Sequence, residues 1–332
     1  MSFMQGLFNM TSDSHLFHTR AALEADGWTL RGNVFTRGKE RILPLYEGRM
    51  GHQYNHRFAD ATGSHESTIA ELNAADFVVH PHYWISLAET RKRQDRRRFE
   101  CRTGMLGHRR VARNNDERTC ISTIIPWGAA SYGWILSAGP SAKHLTWLEA
   151  SFNSFPYDYA LRNSLSQPSV PQITSEQVPV PTPELLVAHG SFIGPRVLEL
   201  TYTAHDMAPF AADLGDTGAP FLWDKDRRMV IRAELDALFF HLYGIKRDDV
   251  DYIMDTFPIV KRKDEAAYGT YRTKELILEI YDDMTTAIRT GKPYKTILDP
   301  TPGHGPRHAK HSARDPNRET PTSAHPEGGE LL

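Results

Sequence analysis

A proline-rich segment between Ser164 and Pro183 divides the chain into two parts of different character. Its sequence, SLSQPSVPQITSEQVPVPTP, repeats proline at short intervals, and each proline fixes φ and removes a backbone donor that a helix or a central strand would use. We therefore predict a Pro-rich linker over residues 166–183, or an extended strap lying across a surface. On either side of it we predict a domain, at residues 1–165 and 184–298.

Composition excludes several protein classes. The 332 residues are 40% hydrophobic, which is enough for a sizeable core and more typical of two domains than of one. The formal net charge of −2 excludes a generally basic nucleic-acid binder but allows local basic patches. The two cysteines lie in no spaced framework, and no run reaches the roughly 18–20 apolar residues of a membrane span. We expect a cytoplasmic protein without disulfides and without a membrane partner.

The first 165 residues carry the signals of a mixed α/β domain. Residues 27–37 predict two short strands around Gly32-Asn33, and residues 76–86 and 120–128 each predict a buried strand. Aromatic and aliphatic side chains then predict a helix from Lys143 to about Ser166, which would close the domain.

Residues 184–298 have the periodicity of helices. Four aliphatic side chains between 231 and 242 recur at spacings of 4, 3 and 4, and Gly244 stands where a glycine ends a helix. A second helix is predicted from Thr273 to about Thr290. Residues 299–332 are rich in Pro, His, Arg and Gly with almost nothing apolar, which predicts a disordered tail. The predicted fold class is α+β: a mixed domain, a mainly helical domain and this tail.

The densest charge lies in residues 91–119. Eleven basic side chains face four acidic ones, a local excess of seven positive charges, and ten of the eleven are arginine. Guanidinium groups bind phosphate oxygens and the guanine edge bidentately, which lysine cannot do. A solvated helical face is the alternative, but Asn114, Asn115 and His108 in the same stretch favour a contact with nucleic acid.

Residues 43–58, LPLYEGRMGHQYNHRF, concentrate charged and aromatic side chains. One interpretation is a metal-dependent nuclease site, in which Glu47 would belong to an acidic-x-Lys element; Arg49 replaces the lysine, and no Pro-Asp partner lies upstream. A structural interpretation pairs Glu47 with Arg57 as a buried ion pair beside packed tyrosines. A third interpretation is a surface that holds a charged and planar partner.

No complete active site is present in the sequence. A histidine metal site built from His52, His56 and His80 or His82 lacks close ligand spacing. The tetrapeptide at 154–157, SFPY, is similar to the Asn-Pro-Pro-Tyr loop of amino-methyltransferases but lacks its second proline. No glycine-rich loop follows a strand to hold an adenosine moiety. We expect this chain to bind neither a metal nor a cofactor.

Nine stretches together resemble one family, the large bacterial adenine-N6 DNA methyltransferases of restriction and phage-defence systems, including BREX and DISARM. The resemblance spans about residues 8–285 in the family's order, and no single motif carries it. The stretches are FNMTSDSHLF (8–17), LPLYEGRMGHQYNHRF (43–58), RVARNNDERTCISTIIP (110–126), FPYDYALR (155–162), EQVPVP (176–181), LTYTAHDM (200–207), RAELDALFFHLYGI (232–245), DYIMDTFPIVKRKDE (251–265) and YRTKELILEIYD (271–282).

The resemblance is to the target-recognition part of that family, which follows a methyltransferase domain. It implies a DNA-binding specificity module that positions double-stranded DNA for a separately encoded methyltransferase subunit, and that subunit would bind S-adenosylmethionine. Arg49 stands where the family commonly has lysine, and Asn55 where it commonly has aspartate. The implied DNA-contacting residues are Tyr46, Glu47, Arg49, His52, Gln53, His56, Arg57, Arg110, Arg113, Asn114, Asn115 and Arg118.

Two other functions stay open at the level of sequence. The chain could be a remnant of a split methyltransferase gene that folds but has no function alone. It could also be a metal-dependent nuclease centred on Glu47.

Overall fold

The structure is a computed structural model that describes residues 2–63, 65–97, 99–165 and 168–309. It is an α+β fold, as predicted: the described strands lie within residues 2–138, among three α-helices, and the chain is helical from residue 142 onward. The first part contains β1 (Ser2–Gln5), α1 (Arg20–Ala25), β2 (Thr29–Arg31), β3 (Val34–Arg37), β4 (Glu40–Tyr46), α2 (Ile69–Leu72), β5 (Trp84–Ser86), α3 (Leu87–Arg96), β6 (Gly104–Arg109), β7 (Ser122–Pro126), β8 (Ala129–Ala130) and β9 (Trp134–Ala138).

The second part is helical. Its elements are α4 (Ala142–Asn153), α5 (Phe155–Ser164), α6 (Gln172–Gln177), α7 (Pro183–Ala188), α8 (Gly190–Thr201), α9 (Ala208–Asp213), α10 (Lys225–Leu242), α11 (Arg247–Asp255), α12 (Pro258–Tyr268) and α13 (Arg272–Thr290). The two long helices predicted from periodicity are confirmed. α10 stops just before Gly244 and α13 stops at Gly291, and both glycines have φ of 67°. This left-handed conformation is one that glycine adopts without strain.

Two sheets organise the first part. One has the antiparallel order β1-β9-β6-β7, and the other has the antiparallel order β2-β3-β4-β5, with β8 pairing in parallel with β4. The hairpin around Gly32 and the strand within residues 120–128 are confirmed. Of residues 76–86, only Trp84–Ser86 form a strand, so the longer predicted strand is wrong. A buried apolar cluster that includes Leu45, Trp134 and Leu136 joins the two sheets.

The single helix predicted from Lys143 to Ser166 is two helices, α4 and α5. Pro156 lies in the first turn of α5, where it has no N–H to continue the α4 hydrogen-bond ladder, so a new helix begins. The N–H of Phe155 donates to the buried Asp236 carboxylate of α10 at 2.9 Å. The break therefore ties the first part of the chain to the helical part.

Buried contacts cross the proline-rich segment. Arg228 of α10 donates to the backbone carbonyl of Tyr54 at 3.0 Å, and Tyr54 belongs to the same apolar cluster as α10 and α13. The segment itself carries α6, in which the buried Ser175 hydroxyl lies 2.9 Å from Nε2 of His108. It therefore lies across the first sheet as a strap, and the division into domains at residues 165 and 184 stays a prediction.

The chain is ordered beyond residue 299, which corrects part of the predicted tail. Arg307 forms an ion pair with Asp216 at 2.5 Å, and its guanidinium stacks 3.6 Å from the ring centroid of Phe221. Composition missed this because Arg307 and backbone groups make the contacts: the Gly303 N–H donates to the Glu199 carboxylate at 2.7 Å, and the His308 N–H donates to the Pro220 carbonyl at 2.9 Å. The rest of the predicted tail, residues 310–332, lies outside the described residues.

No helix within the described ranges combines the length and the apolar composition needed to cross a bilayer.

Glu149 of α4 is a buried carboxyl group in the shared core. It accepts hydrogen bonds from the Ile124 N–H at 3.0 Å and from the Thr201 hydroxyl at 3.1 Å. Burial raises the pKa of Glu149 to about 8, because the surrounding core disfavours the charged form. An unfolded glutamate ionises at roughly pH 4.3, so between these values the folded chain holds a proton that the unfolded chain has lost.

We expect stability to fall as the pH rises from about 4.3 to 8, by up to about 1.4 kcal/mol per pH unit. The Glu149→Gln variant keeps the shape of the neutral carboxyl and has no charge to lose, so its free energy of unfolding should exceed that of the wild type near pH 8. Near pH 5 the difference should be much smaller. Urea unfolding at both pH values measures this, and parallel pH profiles for the two proteins would contradict it.

Candidate nucleic-acid interface

The turn at residues 47–52 is fixed to the protein by its first residue. The Glu47 carboxylate accepts hydrogen bonds from the backbone N–H of His82 at 2.9 Å and from its ring Nδ1 at 3.0 Å. Glu47 therefore does not form the predicted ion pair with Arg57. Its role in the structure is to hold the chain around His82 against the turn, and Arg49, two residues further on, is exposed.

Arg109, at the end of β6, fixes the other side of the turn. It donates to the carbonyls of Gly51 at 2.7 Å and Arg49 at 3.2 Å, and it lies over the ring of Phe58. Gly51 is needed for close approach, because a Cβ there would lie 2.7 Å from the buried ring of Trp134. The turn is thus held rigidly with the Arg49 side chain outward.

The loop at residues 110–118 is the second predicted contact region. Its last residue, Arg118, is buried and donates to Asp158 at 2.9 Å. Arg162 donates to the carbonyls of Asp116 and Glu117 at 3.1 and 3.3 Å. Arginine pairs with carboxylates and carbonyls through a planar fork that fixes geometry. The 110–118 loop is therefore anchored at its end, while its middle faces solvent.

The predicted contact residues divide into an exposed and a buried group. Arg49, Arg113, Asn114 and Asn115 are exposed. Partial exposure is found for Glu47, His52 and Arg110. The side chains of the other five predicted residues are buried, so the prediction that they contact DNA is wrong. These residues are Tyr46, Gln53, His56, Arg57 and Arg118.

The buried group has structural partners. The His56 ring nitrogen Nε2 lies 2.9 Å from the Asp206 carboxylate, and the Gln53 amide donates to the carbonyl of Cys120 at 2.9 Å. Arg57 donates to four backbone carbonyls and one hydroxyl. Buried polar groups need such partners to offset lost hydration. These buried side chains hold in place the backbone that carries the exposed residues.

The pKa of His52 depends on burial and on the cations between the turn at 47–52 and the 110–118 loop. Burial lowers its pKa to about 3, and Arg109, Arg232, Lys263 and Arg118 lower it further because all four are close enough to repel a second positive charge. His52 is neutral at physiological pH. The four nearby cations give this part of the surface a positive field, which attracts anions.

A cavity of about 320 Å³ opens beside the 110–118 loop, between α10 and α12. Its cationic lining is Arg118, Lys225, Arg228, Arg232 and Lys263, and its acidic lining is Glu117, Asp236 and Asp264. Together, the turn at 47–52, the 110–118 loop and this cavity form what we name the basic surface.

Sequence analysis missed the α10 part of the basic surface. Lys225, Arg228 and Arg232 lie at spacings of 3 and 4, so they occupy one face of α10. This spacing indicates a basic helix face in the sequence. The apolar residues of α10 have a stronger periodicity and obscure it.

Within the described residues, no group of three or more His, Cys, Asp or Glu side chains is placed to hold a metal ion. Comparison of the chain with family models, with curated proteins and with solved structures gave no match.

Proposed function

We propose that this chain is the DNA-contacting target-recognition part of an adenine-N6 DNA methyltransferase. In this proposal it holds duplex DNA for a separately encoded subunit that binds S-adenosylmethionine and transfers the methyl group. The type of reaction rests on the sequence resemblance. The contact with DNA is supported by one structural observation: the anchored 110–118 loop exposes Arg113, Asn114 and Asn115, and its last residue, Arg118, is one of the four cations near His52.

The exposed arginine and asparagine residues of the 110–118 loop have different roles in the proposed binding to DNA. Exposed arginines provide phosphate contacts, which fix the register of a protein on the duplex without reading sequence. Asparagine amides bind the N6 and N7 edge of adenine through two hydrogen bonds, so Asn114 and Asn115 are the candidates for base recognition. An anchored loop is favourable for this task because little conformational entropy is lost when it binds.

Binding of a labelled duplex, followed by fluorescence anisotropy, tests the DNA contact. Affinity should fall on the order of 10³-fold between about 50 and 200 mM salt if six phosphates are contacted. Removing two of these contacts with Arg49→Ala and Arg113→Ala should weaken binding at least tenfold and make the salt slope less steep by about 2. The Asn114→Ala and Asn115→Ala variants should leave the salt slope unchanged and reduce discrimination between target and non-target duplexes.

Arg31→Ala is the matched control, because Arg31 is an exposed arginine at the end of β2 and lines no part of the basic surface. Its affinity and salt slope should equal those of the wild type. A flat salt response, or the same affinity for all of these variants, would overturn the proposal and favour a remnant without function.

The alternative function, a metal-dependent nuclease, predicts a different activity. Duplex cleavage in the presence of Mg²⁺ or Mn²⁺ that is lost in Glu47→Ala would support it. Since Glu47 holds His82 in place, Glu47→Gln serves as the second variant: it retains an acceptor for the backbone N–H but lacks the charge that a metal would need.

A further inference from the structure

The acidic side chains of the cavity between α10 and α12 are already engaged by protein donors. Glu117 is paired with Lys263. The Asp264 carboxylate accepts from the N–H of Thr273 at 2.6 Å, and Asp236 accepts from the N–H of Phe155. These three carboxylates therefore stabilise a loop and two helix starts. Lys263 is paired with Glu117 and Arg118 with Asp158, so Lys225, Arg228 and Arg232 are the lining cations that remain to attract an anion.

Two guanidinium groups on the wall are held in fixed positions. Arg228 donates to the carbonyls of Leu200 and Tyr54 at 2.7 and 3.0 Å and stacks 3.6 Å from the ring centroid of Trp223. Arg232 donates to the Gln53 side-chain oxygen at 3.1 Å. Burial lowers the pKa of Arg228 to about 9, and the nearby Arg232 and Arg57 lower it further. Buried like charges that repel each other are stabilised when an anion enters.

We propose that this cavity is a phosphate subsite, lined by Arg228, Arg232 and Lys225, that takes one backbone phosphate of the bound DNA. The inference rests on the proposed function and deepens it, since it assigns a fixed point for the duplex on α10. Arginine forks match phosphate oxygens, and a positive concave site with apolar walls strengthens their attraction. Met229 and Val260 supply apolar wall beside the charges.

The same arrangement of cations would also bind the phosphate of a free nucleotide. The experiment therefore tests both a DNA backbone phosphate and a free nucleotide. Tryptophan fluorescence of the full chain is recorded during titration with inorganic phosphate, with dAMP and with a duplex, each against sodium chloride of equal ionic strength. Arg228 stacks on Trp223, so filling the site should change the emission of that ring. The Trp223→Phe variant identifies which part of the signal comes from Trp223.

Phosphate and dAMP should each give a saturable change that Trp223→Phe abolishes and that the duplex prevents by competition. Arg232→Gln and Lys225→Ala should each weaken phosphate binding by roughly tenfold or more, since a hydrogen bond to a charged group is lost. Lys225 is exposed, so its variant tests the site even if Arg232→Gln fails to fold. Arg31→Ala should bind phosphate like the wild type.

A response no larger than that of chloride, or one that persists in Lys225→Ala and Arg232→Gln, would overturn the phosphate subsite. Saturable phosphate binding that a duplex does not displace would overturn the assignment to the DNA backbone and favour a free nucleotide. Neither outcome bears on the proposed function, which fails if the salt response of DNA binding is flat or if Arg49→Ala and Arg113→Ala leave DNA binding unchanged. The two failures are therefore distinguishable.

Discussion

Replacing Asp158 by alanine should lower the free energy of unfolding by about 3–5 kcal/mol, the range for breaking one side of a buried ion pair. Asp158 is fully buried and accepts from Arg118 Nε at 2.9 Å and from the backbone N–H groups of Thr119 and Cys120 at 3.0 and 3.2 Å. Its loss leaves a buried guanidinium without its carboxylate and two buried N–H groups without an acceptor. Urea unfolding monitored by circular dichroism measures the change.

An exposed ion pair provides the matched control for Asp158. Arg247 and Asp282 pair at 3.0 Å with about half of each side chain exposed, so Asp282→Ala should cost less than about 1 kcal/mol. Replacing both members of the buried pair, with Arg118→Met and Asp158→Leu together, should cost less than Asp158→Ala alone, since the buried Arg118 guanidinium is removed with its carboxylate. Arg162, which lies 3.5 Å from Asp158, keeps its carbonyl acceptors on Asp116 and Glu117. Equal stabilities for Asp158→Ala and Asp282→Ala would show that the buried pair does not hold the 110–118 loop.

Replacing Arg57 by methionine is expected to cost about 3–4 kcal/mol. The fully buried guanidinium donates to the carbonyls of Leu72, Ala74, Phe77 and Thr203 at 2.9–3.1 Å and to the Thr203 hydroxyl at 3.1 Å. Methionine fills much of the same space but donates nothing, so these acceptors lose their partner in a place that water cannot reach. Urea unfolding again gives the free energy.

The loss of stability in Arg57→Met should be local, which distinguishes it from a general destabilisation of the core. The Arg57 side chain ties residues 72–77, the end of α2 and the loop after it, to the carbonyl of Thr203, just before the His205–Met207 turn. Amide hydrogen exchange in residues 72–77 should become faster in Arg57→Met than in Arg31→Met, which removes an exposed arginine. Unchanged exchange and unchanged stability together would contradict the role assigned to Arg57.

Local sequence determined the elements whose causes are local. The turn at Gly32, the strand in residues 120–128 and the helices α10 and α13 follow from residue spacing and from glycines placed at turns and helix ends. The helix break at Pro156 is readable in principle, since proline removes a helical donor, but apolar side chains on both sides of it indicate one continuous helix.

Tertiary structure alone decided which charged residues face solvent. Arg113 and Arg118 are five positions apart in one basic segment, yet one is exposed and the other is buried on Asp158, 40 residues away in the chain. Arg57 is fully buried on carbonyls up to 146 residues distant. Burial and pairing depend on partners that the fold brings together from far along the chain, and residue type and spacing carry no information about them. The sequence by itself determined that this protein is rich in arginine and which stretches are basic, whereas the fold decided that some arginines build the frame and others form its surface.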